Sequence, residues 1–134
     1  MEAFIDSNII LKYLEGDPRA KKILDIVDVG FINPIVVSEV LYGYIRLMTG
    51  FKSYDLKKKF PSLTLELKPI YESLSDFILL PLVFELRELQ AMMERFKLLP
   101  NDALIALTCR HYRVEKIATF DNDFKRVDFL TVLS

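Results

Sequence analysis

Apolar residues recur along the chain with two alternating periods. Ala3-Phe4-Ile5 is a short run that reads as a buried strand ending at Asp6. Ile9, Ile10, Tyr13 and Leu14 follow at helical spacing, with Ser7 or Asn8 placed to cap that helix. Gly16-Asp17-Pro18 breaks it, and Asp17 with Pro18 opens a second helix carrying Ala20, Ile23, Leu24 and Val27. Phe31-Ile32 reads as a strand stopped by Asn33-Pro34. A helix from Val37 to Thr49 comes next, closed by Gly50.

The stretch from 51 to 76 has the weakest periodicity. Lys57-Lys58-Lys59 and Pro61 indicate a helix end and a turn, 63–67 fits neither period, and Ile70 to Ser75 forms a short helical piece. Clear signals return with a strand over Phe77 to Leu80 and a helix over Val83 to Phe96. A further helix runs from Pro100-Asn101 to about Tyr112, followed by strands over Lys116 to Thr119 and Leu130 to Leu133. Strands that alternate with helices predict an α/β fold of three layers: a mostly parallel sheet of about five strands with helices on both faces.

The chain has 134 residues, within the range of one domain, and 51% of them are apolar, so a packed core over 1–134 is expected. The longest unbroken apolar run, Phe77 to Phe84, contains Pro81 and is too short to span a bilayer. Acidic residues and no basic leader mark the N-terminal segment, which argues against a secretory signal. A single cysteine, Cys109, has no internal disulfide partner; a cytoplasmic setting is expected.

The acids carry the chemistry. In open α/β sheets the working crevice lies beyond the carboxyl ends of the strands. Asp6 follows the first strand. Glu39 and Asp102 lie in the first turns of helices, Asp121 follows the strand over 116–119, and Asp123 is two residues on. Each has a plainer reading as a cap, first-turn acid or turn former; together they fall on one sheet edge. Two like charges at 4 Å cost about 4 kcal/mol at an effective dielectric near 20. A divalent cation relieves that repulsion, and carboxylates without His or Cys favour magnesium or manganese (Mg2+ or Mn2+). Such a site suits phosphoryl chemistry without a histidine base; the one histidine, His111, reads as a helix-end residue.

Net charge is −1. The 19 acids less these five leave 14 against 18 Lys and Arg, a mildly basic surround for an acidic pocket that receives a polyanion. Arg46 and the run Lys57, Lys58 and Lys59 are candidates for contacting nucleic-acid phosphates. The plainer reading of the run is a solvated helix face.

Four blocks, in order, resemble the PIN-domain family, especially the VapC-type toxins of prokaryotic toxin–antitoxin pairs: Phe4-Ile5-Asp6-Ser7-Asn8, Ser38-Glu39-Val40-Leu41-Tyr42-Gly43-Tyr44-Ile45-Arg46, Asn101-Asp102-Ala103-Leu104-Ile105-Ala106 and Thr119-Phe120-Asp121-Asn122-Asp123-Phe124. The resemblance implies a PIN-like fold and metal-dependent endoribonuclease activity. Asp6, Glu39, Asp102 and Asp121 would then be the acidic set and Asp123 a supporting acid. Ser7, Asn8 and Thr119 would hydrogen-bond the carboxylates or their waters. It further implies a cognate antitoxin and a homodimer. Two other readings compete. One is a degenerate domain that binds RNA or protein without catalysis. The other is a magnesium-dependent phosphatase or receiver domain, which would want a second aspartate where Asn8 stands or a lysine closing the last strand.

Overall fold

A computed structural model describes residues 1–134. Five strands, β1 (Glu2–Ile5), β2 (Val29–Ile32), β3 (Ile78–Leu79), β4 (Lys116–Ala118) and β5 (Thr131–Leu133), form one sheet in the order β3-β2-β1-β4-β5. Every pairing is parallel, with Phe4 beside Phe31 on one side and Ile117 on the other. The expected "mostly parallel" sheet is therefore wholly so. Consecutive residues Ala3, Phe4 and Ile5 are all fully buried. Successive side chains of a strand point to opposite faces, so this requires helices on both sides of the central strand.

Seven helices supply that cover: α1 (Ser7–Leu14), α2 (Pro18–Ile26), α3 (Pro34–Thr49), α4 (Ser53–Lys59), α5 (Lys68–Leu74), α6 (Leu86–Phe96) and α7 (Pro100–Tyr112). They pack in two groups, α1 with α2 and α3, and α6 with α7; α3 also touches α7. None is long and apolar enough to cross a membrane.

Local chemistry sets the boundaries. Asp6 itself, rather than Ser7 or Asn8, caps α1. Asp17 caps α2 by accepting from Arg19 N at 2.9 Å, and Pro18 takes the first helical position, where its missing N–H costs nothing. Helix α3 begins at Pro34, three residues before the periodicity indicated, because Asn33 caps it. It ends at Gly50 with φ +70°, a left-handed turn that glycine adopts without a Cβ penalty. Helix α6 starts at Leu86, later than expected: Val83 and Phe84 match the helical period but stay outside the helix, and the Glu88 carboxylate accepts from the Glu85 backbone N–H at 2.8 Å.

Asn33 is fully buried at the carboxyl end of β2. Its Oδ1 accepts from Val36 N at 3.1 Å, and its Nδ2 donates to the Thr108 hydroxyl at 2.9 Å, tying α3 to α7. Asn33→Ala is expected to cost about 2–3 kcal/mol, the sum of a lost cap and a buried hydroxyl left without its donor. Urea unfolding should show a lower midpoint with an unchanged slope.

Candidate active site

The central strand delivers the first acid. Asp6 N donates to Ala118 O at 3.0 Å, so the backbone ladder between β1 and β4 extends to Asp6 itself. The residue is 3% exposed. Oδ1 accepts from Ser7 N at 2.8 Å; Oδ2 accepts from the Thr119 hydroxyl at 2.7 Å and from Asn8 Nδ2 at 3.2 Å. Asn8 also donates to the Thr119 hydroxyl at 3.3 Å and accepts from Phe120 N at 3.1 Å. Thr119 in turn accepts from Asp121 N at 2.9 Å. Asn8 and Thr119 thereby lock the end of β4 to the start of α1.

The other acids converge from three elements. Asp102 is the third residue of α7, where the helix dipole favours negative charge. Asp121 caps a 3-10 turn over Asn122–Arg126 by accepting from Asp123 N at 2.9 Å. Carboxylate oxygens of Asp102, Asp121 and Asp123 all lie within 4.8 Å of one another. Glu39, in the second turn of α3, stands at the rim: Oε1 accepts from the Ser7 hydroxyl at 3.2 Å and Oε2 from Asn101 Nδ2 at 3.4 Å.

Proximity shows in the acidities. Burial pushes the Asp6 carboxyl up to about 6 against the pull of Thr119 and Ser7, with Glu39 and Asp121 adding to the rise. Burial, then the charges of Asp121 and Asp6, then a hydrogen bond with Asp121 lift Asp102 to about 7. Burial likewise raises the Cys109 thiol, with the charge of Asp6 adding to it. The protein thus holds carboxylates where their own charge is costly. An oxygen-only donor set of this density fits a hard divalent cation such as magnesium or manganese.

Two contributors escaped the sequence reading. Arg126 donates from Nη1 to Asp123 Oδ1 at 3.0 Å, while Nε and Nη2 donate to the carbonyls of Phe96 and Lys97 at 2.9 and 2.6 Å. One guanidinium thereby caps the end of α6 and steadies an acid of the trio; the only signal is its position three residues past Asp123. Asn101, adjacent to Asp102, is the other. In contrast, Arg46 and the lysine run make no hydrogen bond or ion pair with the five acids. Arg46 Nε reaches the Phe51 carbonyl at 3.5 Å, and Lys59 Nζ lies 4.5 Å from the centre of the Phe51 ring.

Comparison with known proteins identifies the family. The sequence profile of the PIN domain matches residues 3–130. Ribonuclease VapC2 of Methanocaldococcus jannaschii is 46% identical over 136 positions, spanning 97% of this chain and 91% of the relative. Ribonuclease VapC6 of the same organism is 35% identical over 145 positions, 97% of this chain and 95% of the relative. Among solved structures, a chain of a toxin–antitoxin complex from Klebsiella pneumoniae superposes with a TM-score of 0.75 at 21% identity, covering 98% of this chain and 96% of that one. A chain of VapBC2 from Rickettsia felis, bound to a promoter DNA fragment, gives 0.66 at 19% identity, covering 99% and 98%. The profile match over nearly the whole length and the identities to these curated relatives show that the chain belongs to the PIN-domain family, and within it to the VapC type.

Proposed function

We propose that this protein is a divalent-metal-dependent endoribonuclease and the toxin of a toxin–antitoxin pair. The observation that carries the reading is the trio Asp102, Asp121 and Asp123 within 4.8 Å, backed by the buried Asp6. The family membership and two relatives named as ribonucleases support it.

In this reading Asp102, Asp121 and Asp123 hold magnesium or manganese, and Asp6 and Glu39 complete the site directly or through water. A cation held by these residues would supply Lewis acidity toward water and the phosphodiester. Asp6, fixed by three hydrogen bonds, is held in place at the floor of the site. Glu39 is held only by longer bonds at the rim, which leaves it free to orient the attacking water and take its proton. Arg126 keeps Asp123 from swinging outward. Arg46 and Lys57 to Lys59, away from the acids, are assigned to distal phosphates of a long RNA. The phosphatase alternative loses ground at Asn8, whose amide both donates to Asp6 and accepts from Phe120 N, a structural task in place of proton transfer.

The antitoxin reading rests on the superposed chains, which come from a toxin–antitoxin complex and from VapBC2; an acidic pocket suits a basic side chain from such a partner. Exposed apolar residues including Tyr42, Leu47 and Met48 of α3 and Leu86 of α6 support a homodimer or antitoxin contact. The cytoplasm is the compartment where such RNA is met.

Sequencing RNA ends after incubating the purified protein with total RNA tests the activity. Discrete new ends are expected with manganese and none with EDTA. RNA binding with no cleavage in either magnesium or manganese would replace this reading with the non-catalytic module.

A further inference from the structure

Thr119 and Asp121 are bonded into the acidic site, whereas Phe120 and Asn122 line a cavity beside it. The cavity is open to solvent, has a volume of about 600 Å³, and is also lined by Arg19, Lys22, Ile23 and Ile26 of α2 and by Ser134. Arg19 is paired with Asp17. Its Nε and Nη2 donate to the two carboxylate oxygens of Asp17 at 3.3 and 2.9 Å, and its guanidinium carbon lies 4.8 Å from the centre of the Phe120 ring. Lys22 is exposed and has no ion-pair partner, while its neighbour Lys21 is paired with Asp25 at 2.8 Å.

We propose that this cavity is a nucleotide subsite for the RNA strand, beside the phosphodiester that is cut. The proposal rests on the ribonuclease reading for its place in the reaction. The chemistry matches a nucleotide part by part. Arginine planes and aromatic rings are the surfaces on which unstacked bases lie. Arg19 already sits as a cation over the Phe120 ring, with its guanidinium paired to Asp17. Ile23 and Ile26 offer an apolar wall to a base, and Lys22 is a free cation for the phosphate. Phe120 directly precedes Asp121 in the chain, so a strand seated here lies next to the loop that carries the acids. Stacking of this kind tolerates any base, so the subsite contributes grip and register more than sequence choice.

A fluorescein-labelled, mixed-sequence, single-stranded oligoribonucleotide is the probe. Binding is read by anisotropy with calcium in place of manganese, and cleavage with manganese. Phe120→Leu keeps an apolar side chain but removes the ring; it is expected to weaken binding about tenfold and to raise KM more than it lowers kcat. Phe120→Tyr restores both. Lys22→Gln is expected to reduce the slope of log affinity against log salt by about 0.7, one phosphate contact on a single strand, whereas Lys21→Gln on the same helix leaves the slope as it was. Unchanged binding in Phe120→Leu overturns the subsite, and if Lys22→Gln alone acts, the face is a general docking patch for polyanions or acidic peptides. Equal slopes in the two lysine variants overturn it as well. Wild-type protein that binds through Phe120 and Lys22 but leaves the probe uncut in manganese keeps the subsite and defeats the ribonuclease reading instead.

Discussion

Asp102→Asn is expected to lower metal-dependent RNA cleavage by more than about a hundredfold, beyond the 10–100-fold typical of losing a residue that merely supports a metal ligand. Asp102 belongs to the tight trio, in which Asp121 and Asp123 are each already held by a hydrogen bond of their own. The same change should stabilise the metal-free protein. The Asp102 carboxyl sits at about 7 because its charge is disfavoured by burial and by Asp121 and Asp6. Asparagine removes that charge at equal size. Each pKa unit corresponds to about 1.4 kcal/mol; with solvent screening at this half-buried position, a gain of about 1–2 kcal/mol in EDTA at pH 8 is expected. A thermal melt should show a midpoint higher by several degrees. An inactive variant that is also less stable without metal would mean that Asp102 holds the fold rather than strains it.

Metal-free protein should lose stability as pH rises from about 4 to above 7. Asp6 and Asp102 bind their protons more tightly in the folded chain, at about 6 and about 7, than at the ordinary value of 3.8. Between those limits the native state carries more protons than the unfolded one, so the slope of stability with pH is negative there. Below the ordinary value both states are protonated and the penalty vanishes; above the folded values it is complete and constant. Manganese should reverse the trend, since it requires the deprotonated carboxylates and binds only the native arrangement. The rise in melting temperature on adding manganese is therefore expected to be larger at pH 8 than at pH 5. Equal increments at both values would show that the ion binds elsewhere.

Much of this site was legible because strand ends are legible. Ala3-Phe4-Ile5 and Lys116-Ile117-Ala118 are short, apolar and followed by polar residues, and the acids after them lie where a parallel sheet opens its crevice. What could not be read depends on groups meeting in three dimensions. Nothing local distinguishes Arg126 from Lys125, yet only Arg126 reaches both the end of α6 and Asp123. Asp123 counted as a supporting acid in the sequence; the 3-10 turn brings it within the trio. The 51–76 stretch was unclear for an energetic reason: Leu56, Ile70 and Leu74 are its only buried residues, so there is little apolar pattern to detect. Lys57 to Lys59 are exposed on α4, consistent with a solvated face as well as with distal RNA.

Strand β1 lies at the middle of the sheet, but its neighbour β4 is over a hundred residues later in the chain. A ribosome releases Asp6 and Glu39 early, yet they stay apart from Asp102 and Asp121 until residues 116–118 zip alongside the opening strand. Pairings of such long sequence separation form slowly. On the proposed ribonuclease reading, a partly made copy therefore lacks the gathered acids until β4 docks.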